Sequence, residues 1–272
     1  MGIKLSTYYY KPKKGKPSDI DLAEKIEKIA LDFPYYGYRR ITAALKRQGL
    51  KVNHKRILRL MRDKNLLCRA AKAFKATTDS FHSLVRYPNL IEDLVPYRTD
   101  QVWHADITYI RIATSFVYLA ALVDGFSRKV VGYGLGRTLS ADLVMSALLD
   151  AISKRNTDSL IHHSDQGIQY CCYDYVNILK EHGIAISMSG KANPYDNAKI
   201  ESFFRTLKVE EVYMFEYETY AEVLERIPYF IKEVYNSKRL HSSLGYMPPE
   251  EFENINNKKV KTNESHQLVL TS

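Results

Sequence analysis

Three acidic residues stand where chemistry rather than solubility explains them. Asp106 lies inside VWHADITYIRI, a run of β-forming residues from Val102 to Ile112, where a β-former is expected. Asp165 follows the short apolar run Leu160–His163, and Gly167 comes two residues later. Glu201 lies in NPYDNAKIESFFRTLK, Asn193 to Lys208. Carboxylates gathered at one point repel each other and need cations. An all-oxygen donor set suits Mg²⁺ or Mn²⁺, and two such ions can activate a hydroxyl and stabilise the leaving oxygen of a phosphodiester. Taken singly, a strand-end Asp is an ordinary turn residue and a helical Glu an ordinary solvated one, so the argument rests on all three together.

Those residues need elements to carry them. Asn193, Pro194, Asp196 and Asn197 are turn and cap types, so a helix is expected to start near Asp196 or Asn197. On its wheel Ile200, Phe203, Phe204 and Leu207 share a core-facing side, and Glu201, Arg205 and Lys208 share another. Upstream, strands are expected over Val102–Ile112, Phe116–Val123 and Lys129–Leu135, the last two joined by the Asp124–Arg128 turn. A helix to about Lys154, a short strand over Leu160–His163, a helix over Tyr173–His182 and a strand over Ile184–Met188 follow. The helix carrying Glu201 and another over Thr219–Asn236 complete the pattern. This is an α/β layout with one mixed five-stranded sheet and flanking helices. If the first and fourth strands lie side by side, the helix after the fifth covers their ends and the three carboxylates converge. His162 and His163 are adjacent in a strand and face opposite ways, which argues against a paired metal role. Trp103 reads as core.

The N-terminal third is different. In residues 1–100, 22 Lys/Arg stand against 10 Asp/Glu; in the remainder 18 stand against 21. Such asymmetry points to a polyanion-binding part. Three short helices are expected over Ile20–Asp32, Tyr38–Gln48 and Asn53–Lys64, a small all-α helix-turn-helix arrangement. The third would expose His54, Lys55, Arg56, Arg59 and Arg62 to phosphates and base edges of double-stranded DNA. The bland alternative is a bundle with a solvated basic face. The domain expectation is a basic tail over 1–18, a helix-turn-helix domain over 19–68, a linker over 69–95, a catalytic core over 96–254 and a flexible tail over 255–272. No run of 18 apolar residues exists, so no membrane span is expected, and Met1–Lys16 has lysines but no apolar signal core, so no secretion is expected. Cys68, Cys171 and Cys172 form neither a disulfide framework nor a zinc pattern, which fits a cytoplasmic protein.

WHADITYI (Trp103–Ile110), HSDQGIQY (His163–Tyr170) and DNAKIESFFRTLK (Asp196–Lys208) resemble the three catalytic motifs of DDE transposases. The chain most resembles the second-frame products of the insertion-sequence-three family, whose core is similar to retroviral integrase. The 35 residues between Asp165 and Glu201 match that group, as do YNSKRLHSSLGYMPPEEF (Tyr235–Phe252) and YGYRRITAALKRQG (Tyr36–Gly49). The resemblance implies an RNase H-like core with Asp106, Asp165 and Glu201 as the catalytic, metal-binding triad. It implies metal-dependent cleavage at a DNA 3′ end and strand transfer, with element ends and target as partners and a joined circular intermediate. It also implies a homo-oligomer on DNA, a first-frame helix-turn-helix and leucine-zipper partner or fusion, and a place at the bacterial nucleoid. Around the triad, Lys191, Asn193, Asn197, Arg205 and Lys208 are candidates for DNA contact. Gln166, Gln169 and Tyr170 are candidates for fixing the Asp165 loop, and Arg239 and His241 for touching DNA or bracing the last helix. The family often has Thr before the first Asp, where this chain has Ala105. That neighbour points to the opposite face of the strand, so little effect on metal is expected. Two rivals remain open: an RNase H-like nuclease that only hydrolyses, and a non-catalytic DNA-binding regulator.

Overall fold

The computed structural model describes residues 17–67, 85–190 and 197–258. The chain divides into two compact units, Met1–Ala71 and Lys72–Ser272.

In the first unit three helices, α1 (Asp19–Asp32), α2 (Tyr38–Arg47) and α3 (His54–Asp63), bury Leu22, Ile26, Ile41, Leu45, Ile57 and Met61 against one another. Each start is written in the sequence. Ser18 and Asp21 form a reciprocal capping box at α1, and Asn53 Oδ1 accepts the Lys55 N–H at 2.8 Å to open α3. Gly49, at φ +83°, turns the chain after α2 in a conformation that costs other residues energy.

The second unit is a three-layer α/β/α structure. Its strands are β1 (Val102–Arg111), β2 (Phe116–Asp124), β3 (Val130–Gly136), β4 (Ile161–Ser164) and β5 (Ala185–Met188). They lie in the order β3-β2-β1-β4-β5. The first three run antiparallel, and β4 and β5 join parallel to β1. The β2–β3 turn is the expected one: Asp124 Oδ1 accepts the N–H groups of Phe126 and Ser127. Helices α4 (Ala141–Ile152), α5 (Ile168–Cys171) and α6 (Tyr173–Glu181) belong to one face, where α4 and α6 pack on Trp103, Ala105, Ala120 and Leu122. Helices α7 (Ala198–Leu207) and α8 (Tyr220–Tyr229) cover the other, packing on Ile110, Leu119, Ala121 and Val123. Strand alternation therefore places Asp106, which is even-numbered like Ile110, on the α7 side and Ala105 on the α4 side.

Two details differ from the sequence reading. The expected helix over Thr219–Asn236 is α8 followed by a π-helical turn, Phe230–Asn236. Pro228, which lacks an N–H donor, lies just before the change. A final helix occupies 249–258, so helical chain runs past residue 254. It is anchored by Glu253, whose carboxylate binds Arg155 and accepts the Ser127 hydroxyl.

Packing of α4 on β3 depends on the absence of side chains there. A Cβ at Gly132 would collide with Ala147 O and lie 2.7 Å from Ala151 N. Gly132→Ala is therefore expected to lift α4 and to cost about 1–3 kcal/mol of stability by overpacking. Urea denaturation of the variant beside wild type reads this directly.

Candidate active site

Each carboxylate comes from a different element. Asp106 is at the middle of β1, Asp165 directly follows β4, and Glu201 is in the first turn of α7. β1 pairs with β4 only over Val102–His104, so the two strands part before Asp106 and their ends open towards α7. Backbone donors set two of the three groups. Asp106 Oδ1 accepts the Ile107 N–H at 2.7 Å, and Asp165 Oδ1 accepts the Gly167 N–H at 2.9 Å. Gly167 leaves room for that turn, since a Cβ there would sit 2.9 Å from the Asp165 oxygen.

The electrostatics show the convergence. Burial, and next the negative charge of Asp165, push the Asp106 carboxyl up to about 7; Glu201 adds to the rise, while the Ile107 N–H and the Lys208 ammonium oppose it. The three acids and Lys208 thus share one neighbourhood. Among the described residues, no three acidic, His or Cys side chains are drawn tightly enough together to grip a metal unaided. The donor set is nevertheless all carboxylate oxygen, and a divalent cation would offset both the burial and the mutual repulsion that raise Asp106.

Beneath the acids lies a buried polar layer. Asn197 is buried at the start of α7, with Nδ2 3.4 Å from Ala105 O. Lys199 Nζ is 3.3 Å from His104 Nε2, and His104 meets His163 edge-on with 5.7 Å between centroids. His163 Nδ1 lies 2.9 Å from Ser187 Oγ. His162 faces the other way and pairs with the Tyr175 hydroxyl at 2.7 Å. Burial lowers all three histidines, His162 to about 3 and His163 to about 4, so all three are neutral at pH 7. His104 and Lys199 were missed by sequence reasoning. His104 had a signal, two residues before Asp106 on the same strand face; Lys199 had none, because its partner is 95 positions away.

The remaining candidates are distributed unevenly. Lys208 is half-buried beside Asp106, and Arg205 is exposed one turn before it. Lys191 and Asn193 lie outside the described residues. Gln166 Nε2 donates to Ser189 O at 3.0 Å and bridges the Asp165 loop to the end of β5. Gln169 Nε2 reaches Leu139 O at 3.5 Å. Tyr170 is buried against His162 and Tyr175. Arg239 is a brace: buried, it grips Glu210 with two hydrogen bonds of 2.8 and 2.6 Å. His241 is buried edge-on to Tyr235. In the first unit His54, Lys55 and Arg62 are exposed. Arg56 and Arg59 instead reach Asp19, at 2.7 and 2.5 Å, and Arg56 also donates to Pro17 O.

The family comparisons agree with this division. Residues 18–74 match an HTH-like domain, and residues 96–194 and 182–249 match two models of an integrase core domain. The chain is 38% identical over 260 residues to the insertion element IS600 uncharacterized 31 kDa protein of Shigella sonnei, covering 93% of this chain and 95% of that one. It is 37% identical over 224 residues to transposase InsF for insertion sequence IS3A of Escherichia coli K12, covering 81% and 77%. A solved structure, the HTLV-2 integrase catalytic core domain in complex with magnesium, overlaps at a TM-score of 0.44 with 15% identity, covering 57% of this chain and 97% of that one. Among the described residues no helix is long and apolar enough to cross a membrane. Two integrase core matches, an HTH-like domain and relatives of this extent leave one assignment. The chain belongs to the insertion-sequence-three (IS3) family of transposases, DDE polynucleotidyl transferases that carry an integrase core.

Proposed function

We propose that Asp106, Asp165 and Glu201 form the metal-holding centre of a DNA strand transferase that moves an insertion sequence. The observation that supports this reading is that Asp106 lies on β1, Asp165 directly after the neighbouring β4 and Glu201 in the first turn of α7, within an integrase core. When bound, two divalent ions, Mg²⁺ or Mn²⁺, supply charge neutralisation at the attacking and leaving oxygens. The chain's own residues do the rest. The β1 and β4 backbones fix Asp106 and Asp165 before substrate arrives, and the Lys208 cation offsets part of the negative field and faces the DNA backbone. Asn197 ties the start of α7 to β1 and so sets the height of Glu201 over the strand ends. Arg205, with Lys191 and Asn193 before the helix, holds phosphates of the element end.

Two phosphodiester reactions follow in order. Hydrolysis frees a 3′-hydroxyl at the element end. That oxygen then bonds in line to a target phosphorus as the bond from this phosphorus to the target's own 3′-oxygen breaks. The protein forms no covalent bond to DNA. In the first unit His54, Lys55 and Arg62 contact element DNA, and Arg56 and Arg59 join them by sharing or leaving Asp19. The chain works as an oligomer on DNA at the nucleoid, with a first-frame product as partner or fusion completing end recognition.

The test is to incubate a labelled, pre-cut element end with a target duplex in Mg²⁺ or Mn²⁺. Joined strands are expected. Shortened strands without joining would instead support a nuclease. DNA binding with neither product, in the chain fused to its first-frame partner as well as alone, would leave a regulator.

A further inference from the structure

Three aromatic side chains around Lys208 have no part in the reading so far. Tyr109 and Phe116 meet edge-on across β1 and β2, with 5.4 Å between ring centroids. The Lys208 Nζ sits over the Tyr109 ring, 4.6 Å from its centroid. Tyr213, whose N–H donates to Lys208 O at 2.8 Å, follows one turn beyond Lys208, and after the larger effect of burial the neighbouring Tyr109 pushes its phenol up. Phe116 is nevertheless 46% exposed and Tyr213 47% exposed. Arg111, exposed and paired in register with Phe116, shares the Tyr109 face of the strand.

These rings stand where β1 has left β4 behind, since the β1–β4 register ends at His104. Lys208 connects them to the reaction centre: it directly follows α7, the helix that carries Glu201, and its ammonium covers Tyr109 on β1, the strand that carries Asp106. Flat, exposed aromatic faces interleaved with cations are the chemistry that takes a nucleobase on its face and a phosphate at its edge. A base inside a duplex is already stacked on both sides, so the occupant is a nucleotide freed from pairing. Tyr109 stands three residues, about 10 Å, beyond Asp106 along β1, so the nucleotide is one near the reacting phosphate.

We propose that Tyr109, Phe116 and Tyr213, with Lys208, form a stacking platform for an unpaired base of the DNA end held at the acidic centre. The proposal rests on the strand-transfer reading and deepens it: the platform selects ends whose terminal nucleotides are splayed, and it keeps them apart while the phosphodiester reacts.

Binding tests the platform without chemistry. The full chain is titrated, in EDTA, against a blunt fluorescent element-end duplex and against the same duplex with its last few nucleotides unpaired, and anisotropy is read. Wild type is expected to bind the splayed end about tenfold tighter, the size of one base stacked on one ring. Phe116→Leu and Tyr213→Leu, both at exposed positions that leave the core intact, should each lose most of that preference while binding the blunt duplex as before. Tyr213→Phe, which keeps the ring, should retain it. Equal binding of both ends by wild type, or a preference that survives in the leucine variants, would overturn the platform. So would leucine variants that keep the preference but change sedimentation from oligomer to monomer, which would make the face a contact between copies. Joining by wild type in Mg²⁺ or Mn²⁺ is measured separately. A chain that joins ends but does not prefer splayed ones sinks the platform alone, and a chain that never joins sinks the reading beneath it.

Discussion

Asp106→Asn, Asp165→Asn and Glu201→Gln are each expected to cut joining of pre-cut element ends by at least about a hundredfold to a thousandfold, the loss typical of one preorganised electrostatic group at a charged transition state. The amides are chosen to remove charge and little else. An Asn at 106 keeps an oxygen for the Ile107 N–H, and an Asn at 165 keeps one for the Gly167 N–H, so both backbone anchors survive. Glu201 is exposed, and its amide disturbs no packing. DNA affinity should hold, because the cations of α7 and of the first unit are untouched. Loss of joining with unchanged binding places the defect in the reaction. Equal losses of both would move these residues from chemistry to structure.

The second large effect concerns stability and follows from the burial of Asp106 and, after it, the charge of Asp165. Asp106 binds its proton more tightly in the folded chain, at about 7, than the ordinary carboxyl value of 3.8 it has when unfolded. Between those values the folded state holds more protons than the unfolded state, so this group's contribution to stability falls as pH rises and is fully lost above about 7. The buried histidines slope the other way: His162 and His163, near 3 and 4 when folded, disfavour folding at low pH and cease to do so above their unfolded value of 6.5. A pH curve of wild type alone therefore mixes both. The difference between Asp106→Asn and wild type isolates Asp106. In EDTA the two should be of similar stability near pH 4. By pH 8 the variant should be the more stable by a few kcal/mol, with an upper bound of about 4 kcal/mol from the shift itself. Urea denaturation at the two pH values checks it. Added Mn²⁺ should narrow the gap by stabilising wild type and not the variant. A variant less stable than wild type at pH 8 in EDTA would show that folding does not raise the Asp106 carboxyl.

Much of this was legible in the chain because the signals are local. The β-forming run around Asp106, the Asp124–Arg128 turn and the apolar stripe of α7 each report on residues within a few positions, and each element stands where its pattern puts it. The parallel pairing of β1 with β4 followed from resemblance and from the needs of the acids; no periodicity states it. What stayed hidden depends on distant partners. Arg56 and Arg59 read as a DNA-facing pair on α3, but Asp19, far back in the chain, faces the same groove of the bundle and takes both. Lys199 carries no signal of its own in the sequence, and only folding brings His104 within 3.3 Å of it. Arg239 read as touching DNA or bracing the last helix; it is buried in a two-bond grip on Glu210, which itself sits in a π-helical turn, Lys208–Val212, that wheel reasoning at 100° per residue does not anticipate. The same turn carries the chain from Lys208 to Tyr213 and so brings Tyr213 near Tyr109.

The central claim is that the three carboxylates hold divalent metal for joining, and a change of ligand tests it most directly. In Asp165→Cys a softer thiolate replaces a hard oxygen, which favours Mn²⁺ over Mg²⁺. Joining of a pre-cut element end is then compared in the two metals, with wild type beside it. The account predicts that the variant is silent in Mg²⁺ and regains measurable joining in Mn²⁺, while wild type works in both. A variant that joins as well as wild type in Mg²⁺, or one that remains folded and DNA-bound yet is equally silent in both metals, would contradict a metal-ligand role for Asp165.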